Sequence, residues 1–209
     1  MADGLATRIA DLKRRLAALD DDCADGGPEA EAALNRLESR TGLRLPEDYR
    51  AFMAAIGRLP ALFPHYGMVP PGLPAGAGFK APAPADLVKP FPFVDVWLWE
   101  DDPDPPPPPP GWPADVPVTR EMVDHGVLPL GTDGCGMVPM LIVTGTGRGM
   151  VWLFTDVGIG PDTMRGDDAS PQSFFFLDWL GSRIEAFAAD ESKFRNPPKW
   201  PAPWWTYVK

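Results

Sequence analysis

The stretch LRLPEDYRAFMAAIG, residues 43–57, contains the best-specified helix of this chain. Pro46 suits the first turn of a helix, where no backbone N–H donor is needed, and Gly57 is placed to end it. Large apolar side chains between them follow the repeat i, i+3, i+4, i+7, at Tyr49, Phe52, Met53 and Ile56. This repeat puts them on one face and predicts a short helix packed on a core.

Three other segments show a helical repeat. Residues 5–19 carry a narrow stripe of leucine and isoleucine, which predicts a helix that either lies on the domain or binds a partner. A second helix is predicted to begin near Pro28 and to end near Gly42. A last helix is predicted after Ser170 or Ser173, both of which suit an N-cap. Its buried stripe consists of Phe176, Leu180, Ile184 and Phe187.

Strand patterns lie between these helices. FVDVWLWE, residues 93–100, alternates aliphatic with mainly aromatic side chains, which predicts a strand. Shorter strands are predicted at residues 127–131, 138–143 and 150–155, with TGTGRG as a hairpin connection between the last two. Helices followed by strands and one more helix, without βαβ alternation, predict an α+β fold, with a mainly antiparallel sheet and helices packed on one side.

The chain is expected to form one domain, because 209 residues suffice for a single core. Within residues 1–209 we expect a core at about 28–190, an extra helix at 1–22, an acidic and polyproline insert at 100–117, and a tail rich in Trp and Pro at 194–209. Six consecutive prolines, residues 105–110, favour a stiff polyproline II spacer that leaves the core. They could also form a peptide ligand for a partner domain.

The charge balance indicates what kind of partner to expect. With 19 Lys and Arg against 29 Asp and Glu, the net charge of −10 disfavours nucleic acid and anionic membranes and favours a basic protein. Acidic side chains on a stiff insert could attract such a partner. Candidate partner-binding residues are Trp99, Glu100, Asp101, Asp102, Asp104, Trp112, Asp133 and Asp156.

Tryptophan is frequent, with 8 residues in the chain. Trp97 and Trp152 lie on predicted strands and are expected in the core. The tail tryptophans either cover the sheet or offer their rings to a partner.

Cys135 lies in GVLPLGTDGCGMVPMLIV, residues 126–143, close in sequence to His125 and Asp133. A thiol nucleophile needs a base and a residue that orients the base, so a thiol enzyme is a remote alternative. The flanking glycines favour a tight turn, with Cys135 as a small packing residue.

Other chemistry finds little support in the sequence. His65, His125, Cys23 and Cys135 are too scattered for a zinc site, and the glycine-rich stretches lack the Lys of a phosphate-binding loop. We therefore expect no metal and no cofactor. The chain has no apolar run of about 20 residues and no apolar signal region at its N-terminus, so a cytoplasmic protein is expected.

Three stretches together resemble the SUKH superfamily of the Smi/Knr type. LNRLESRTGLRLPEDYRAFMAAIG, residues 34–57, resembles the family's Glu-bearing helix and its "LP…Y…F…G" helix. Residues 128–156 are similar to its central glycine segment and hairpin, and QSFFFLDWL, residues 172–180, is similar to the start of its closing helix. One departure is Met137, where the family often has an Asp.

The resemblance covers about residues 28–190 and implies an α+β fold that is not known as an enzyme scaffold. Bacterial members of the family are understood as immunity proteins that neutralise toxins, often nucleases, and fungal members as regulatory interaction proteins. The resemblance thus implies a non-enzymatic immunity protein with a basic toxin as its partner. A regulatory scaffold that uses the proline-rich insert is the alternative.

Overall fold

The computed structural model describes residues 2–19, 23, 25–61, 67–75, 80–162, 174–190 and 202–208. Five α-helices and five β-strands lie in these ranges. In chain order they are α1 (Ala2–Ala18), α2 (Pro28–Thr41), α3 (Glu47–Ala55), α4 (Pro84–Leu87), β1 (Val127–Pro129), β2 (Val138–Ile142), β3 (Met150–Phe154), β4 (Ile159–Pro161), β5 (Phe174–Phe175) and α5 (Phe176–Ala189). Short 3-10 helices span Arg120–Asp124 and Trp204–Thr206.

The strands form one antiparallel sheet with the order β1-β2-β3-β4, and β5 pairs with β3 beside β4. Residues of TGTGRG connect β2 to β3 as predicted, and the Gly149 N–H donates to the Ile142 carbonyl at 2.8 Å. The predicted α+β fold with a mainly antiparallel sheet is confirmed. Neither β4 nor β5 was predicted from the sequence.

Two cores lie on opposite faces of the sheet. The first, the helix-side core, contains the buried residues of α1, α2, α3 and α5 together with Leu128, Leu141 and Val151 of the sheet. The second, the loop-side core, contains Met140 and Trp152 of the sheet and side chains from irregular segments. Alternate strand residues face opposite sides, so each central strand contributes to both cores.

The loop before α3 is held by one carboxylate. Glu38 of α2 accepts the Leu45 N–H at 2.8 Å and the Arg50 side-chain Nε–H at 3.1 Å. Gly42 ends α2 in the left-handed region at φ 71°, and its N–H donates to the Glu38 carbonyl at 2.8 Å. The stretch that best predicted a helix is therefore fixed to the helix before it.

The predicted α3 stripe is confirmed, since Tyr49, Phe52, Met53 and Ile56 are all buried. The helix ends two residues before the predicted Gly57. α3 ends at Ala55 because Ile56 is extended and forms an isolated bridge with Asp25. The segment before α2 lies so close to the end of α3 that a Cβ on Gly26 would be 2.0 Å from the Ala54 carbonyl oxygen.

Both terminal helices contribute to the helix-side core. α1 buries Ile9, Leu12 and Leu16, so its apolar stripe packs on the rest of the chain. In α5, Phe176, Leu180 and Ile184 are buried and Phe187 is half-buried, which confirms that stripe. Ser170 and Ser173, the two predicted N-caps, lie outside the described residues.

The tail also packs on this core. Trp204 is 0% exposed, and its indole N–H donates to the Ile56 carbonyl at 2.8 Å. Its backbone N–H donates to the Gly57 carbonyl at 3.1 Å. Trp205 is half-buried against it. Of the two alternatives for the tail tryptophans, the structure places these two rings on the body of the protein.

The predicted strand at residues 93–100 is wrong. Only Trp97 pairs there, in an isolated bridge with Ile159. The Asp95 carboxylate accepts the Val96 N–H at 2.8 Å, which withdraws that donor from a ladder, and the chain turns after Leu98. Phe93 and Trp97 nevertheless point into the loop-side core. Trp97 and Trp152 are buried as predicted, but only Trp152 is on a strand.

Candidate protein-binding surface

Trp99 holds the start of the insert against the sheet. Its indole N–H donates to the Asp156 carbonyl at 2.7 Å. Its ring meets those of Trp97 and Phe154, each at 5.6 Å between centroids, and the Arg120 guanidinium lies 4.4 Å from its centre. Trp99 is half-buried by these contacts, so it fixes a turn and offers only part of its ring to a partner.

The acidic residues that follow lie on a turn with a defined backbone. The Leu98 carbonyl accepts the N–H groups of Asp101 at 3.0 Å and Asp102 at 2.9 Å. The Trp97 indole N–H donates to the Asp102 carbonyl at 2.8 Å, and the Asp102 carboxylate accepts the Asp104 N–H at 3.0 Å. These bonds orient the turn while its acidic side chains face solvent. The four exposed residues are Glu100, Asp101, Asp102 and Asp104.

Acidic side chains outnumber basic ones at this turn. In the described part of the chain, none of the ion pairs includes any of its four carboxylates. The sequence from residue 90 to 119 contains no Lys or Arg. Arg120 is the first cation after it, and its guanidinium is stacked on Trp99 and donates to the Asp156 carbonyl at 3.3 Å. The exposed Asp156 adds a fifth acid beside the turn.

An aliphatic ridge lies next to the acids, and its exposure was not predicted from the sequence, although its aliphatic alternation was. Val94, Val96 and Leu98 are 44%, 43% and 44% exposed. Val96 and Leu98 cover the glycines beside and within β4: a Cβ on Gly158 would lie 2.5 Å from Leu98, and one on Gly160 would lie 3.1 Å from Val96. The alternation in residues 93–100 was the available signal, because it separates these side chains from the buried rings.

The ridge and the turn form a continuous stretch of chain, which we call the acidic-aliphatic surface. It consists of Val94, Val96, Leu98, Glu100, Asp101, Asp102 and Asp104. Protein interfaces commonly combine an apolar centre with a polar or charged rim. This surface has both parts on a backbone that hydrogen bonds already hold in place.

Trp112 does not stand free at the end of the insert. Its indole N–H donates to the Val116 carbonyl at 2.8 Å, and its ring packs on the loop-side core. Pro109 is buried as well. The expectation that the insert leaves the core is therefore wrong for Pro109 and Trp112, because both side chains pack against the rest of the protein.

Asp133 has a structural partner. Its carboxylate accepts two hydrogen bonds from the Arg183 guanidinium, one of them at 2.6 Å. Arg183 is only 2% exposed, and its guanidinium also lies 3.7 Å from the Asp162 carboxylate. The Trp179 indole N–H donates to Asp162 at 2.7 Å. This cluster ties the β1–β2 turn and the end of β4 to α5.

Burial raises the pKa of Asp162, against the opposing effect of the Arg183 cation. Sequence reasoning missed both Arg183 and Asp162. The only available signal was the position of Arg183 four residues after Trp179, on the buried side of a helix.

Cys135 lies at the tip of a two-residue turn. Gly134 and Met137 form a bridge across it, and Cys135 and Gly136 have φ angles of 48° and 77°. Positive φ at both central positions is typical of a type I′ hairpin turn. The predicted tight turn is confirmed, but Cys135 is exposed, so the expectation that it packs in the core is wrong.

The hairpin separates Cys135 from His125. His125 precedes β1, whose first residue pairs with Ile142, so it lies at the opposite end of the hairpin from the turn. A rise of about 3.3 Å per residue puts the two on the order of 20 Å apart. Asp133, the third residue that the thiol-enzyme hypothesis would use, forms an ion pair with Arg183.

The described residues contain neither a group that could hold a metal ion nor a helix that could cross a membrane. No three His, Cys, Asp or Glu side chains there are grouped so that they could hold a metal ion, and His65 lies outside those ranges. Among the helices described, none is both long and apolar enough to cross a membrane.

The chain gave no match to family models, to curated proteins or to solved structures.

Proposed function

We propose that this chain is a non-enzymatic, cytoplasmic binding protein of the SUKH type that neutralises a basic toxin through its acidic-aliphatic surface. The observation that carries the proposal is the set of four exposed carboxylates, without ion pairs in the described residues, on a hydrogen-bonded turn beside exposed aliphatic side chains. A nuclease domain is a suitable partner, because a protein that binds nucleic acid presents a positive surface.

The fixed backbone of the turn favours binding. Ordering flexible groups on association costs free energy, and a turn already held by four hydrogen bonds avoids part of that cost. Complementary charge mainly raises the association rate, whereas burial of apolar side chains slows dissociation. The carboxylates therefore attract the partner, and Val94, Val96 and Leu98 provide the contact that excludes water.

The direct test is co-expression with a toxin encoded beside the gene of this protein. We expect the wild-type chain to form a stable complex with that toxin and to restore growth of the producing cells. Failure to bind or to protect against any neighbouring toxin would contradict the proposal.

A charge variant locates the binding surface. The variant Glu100→Gln, Asp101→Asn, Asp102→Asn, Asp104→Asn, hereafter the surface variant, should lose most protection while folding normally. The control removes four exposed acids from the helices, by Glu29→Gln, Glu47→Gln, Asp178→Asn and Glu185→Gln. Both variants have the same net charge. If the surface variant protected as well as the control, the toxin would bind outside the acidic-aliphatic surface.

A further inference from the structure

The six prolines of the insert differ in exposure. Pro109 is buried and Pro105 and Pro106 are half-buried, whereas Pro107, Pro108 and Pro110 are exposed. Consecutive prolines are restricted to the polyproline II conformation, which has three residues per turn. Residues three apart therefore share an edge of this helix, and the edge formed by Pro106 and Pro109 faces the protein.

The edge formed by Pro107 and Pro110 is exposed at both positions. The third edge contains the exposed Pro108 and the half-buried Pro105. Domains that recognise polyproline dock such a helix in a groove lined with aromatic rings. A helix with one edge against the body and another fully exposed leaves room for that groove.

The structure also holds this helix at both ends. At its C-terminal end the Trp112 backbone N–H donates to the Pro109 carbonyl at 3.1 Å, and the Trp112 ring packs on the loop-side core. At its N-terminal end the Asp104 N–H donates to the Asp102 carboxylate at 3.0 Å. A proline ligand held in this way loses little conformational entropy on binding.

The surrounding charge selects among proline-binding partners. Six acids and no Lys or Arg lie between residues 90 and 119, at Asp95, Glu100, Asp101, Asp102, Asp104 and Asp115. An acidic groove would be repelled, and a groove bordered by Lys or Arg would be attracted.

We propose that residues 105–110 are a preformed polyproline ligand for a second protein whose proline groove is lined with aromatic rings and bordered by basic residues. The ligand edge contains Pro107 and Pro110, next to Pro108. The ligand edge contains no residue of the acidic-aliphatic surface, to which we assign toxin neutralisation, although the acids of that surface also favour this second partner.

The probes are two purified, isotope-labelled proline-binding domains, titrated with the full-length chain and followed by NMR. One is an EVH1 domain with a basic rim, and the other is an SH3 domain with an acidic groove. We expect chemical-shift changes in the aromatic groove of the EVH1 domain and binding to the SH3 domain that is at least about tenfold weaker. No EVH1 binding, or equal binding of both domains, would overturn the proposal.

Paired variants test the edge itself. Pro107→Ala with Pro110→Ala should weaken EVH1 binding at least about tenfold, because the four remaining prolines preserve the helix while the contact is lost. Pro113→Ala with Pro117→Ala removes two exposed prolines outside the run and should leave binding unchanged. Equal affinities of the two variants would overturn the assignment. Both should protect against the toxin like the wild type, so failure of one proposal is distinguishable from failure of the other.

Discussion

The two faces of the sheet are covered in different ways. On the helix side, α1, α2, α3 and α5 bury regular apolar stripes, and packing dominates the contacts. On the loop side, Phe91, Phe93 and Trp97 come from a segment that forms only one bridge to the sheet. Indole N–H groups donate to backbone carbonyls there, from Trp97 to Asp102 and from Trp99 to Asp156.

The difference decides which face of the sheet holds its exposed surface in a fixed shape. A helix closes its own backbone hydrogen bonds, so its outer face needs no particular shape. An irregular segment must find a partner for each buried polar group, and those partners fix the shape of what stays exposed. The acidic-aliphatic surface and the polyproline edge both lie on the loop side, where specific hydrogen bonds position them.

The largest effect is expected from removing the tail tryptophan of the helix-side core. Trp204→Ala should lower the free energy of unfolding by about 3–5 kcal/mol, because a fully buried ring leaves a cavity. Trp205→Ala, at a half-buried ring beside it, should cost clearly less. Urea denaturation measures both, and equal losses would contradict the full burial of Trp204 in the helix-side core.

The next effect concerns the cluster that joins α5 to the turns. Arg183→Met should cost about 3 kcal/mol at neutral pH, because it leaves two carboxylates near each other without their cation. Asp133 is partly exposed, so we expect the low end of the usual range for a broken buried pair.

The same variant should change the pH dependence of stability. Burial raises the folded-state pKa of Asp162 above the ordinary 3.8, so its contribution to stability falls as pH rises through the folded-state pKa. Loss of the Arg183 cation raises that pKa further. The variant should therefore approach wild-type stability as pH is lowered toward 4, and a loss independent of pH between 4 and 7 would contradict this role of Asp162.

A smaller effect tests the hydrogen bonds of the loop side. Trp97→Phe keeps an aromatic ring against Phe93 but removes the donor to the Asp102 carbonyl, and should cost about 1 kcal/mol more than Trp152→Phe. Trp152 is an apt control because its buried indole N–H has no partner among the described residues. Denaturation curves of both variants give the difference, and hydrogen exchange of the Asp101 and Asp102 amides should accelerate only in Trp97→Phe.

The smallest effect is a stabilisation at the turn between β1 and β2, whose strands contribute side chains to both cores. Cys135→Asn should raise the free energy of unfolding by about 1 kcal/mol or less, because Asn relieves part of the cost of about 1–2 kcal/mol that a left-handed φ has for most residues, and Asn-Gly is the preferred type I′ pair. Cys135→Ala keeps the same backbone strain and should give no gain. Thermal denaturation compares the two variants.

Sequence periodicity predicted the helix-side core well because regular spacing reports which side chains are buried. The stripe of Tyr49, Phe52, Met53 and Ile56 is an example, and it remained valid although the helix itself ends at Ala55. Trp204 shows the limit of this reasoning. It lies among prolines without a repeat, and its place in the core depends on the Ile56 carbonyl, which is remote in sequence.

The loop side was predicted less completely for a related reason. Alternation in residues 93–100 correctly separated buried rings from other side chains, but it carries no information about backbone pairing, which Asp95 interrupts. The acids of the candidate site were identified from charge and composition. Arg183 and Asp162 were missed because their interaction exists only once the fold brings α5 to the end of β4.

We propose that the acidic turn attracts a basic protein partner. This proposal is tested by the association rate constants of the wild type, the surface variant and the helix-side control with the same toxin, over a range of salt concentrations. At low salt the surface variant should associate at least about tenfold more slowly than the control, and the difference should shrink as salt screens the charges. Equal association rates for the two variants at low salt would contradict the claim.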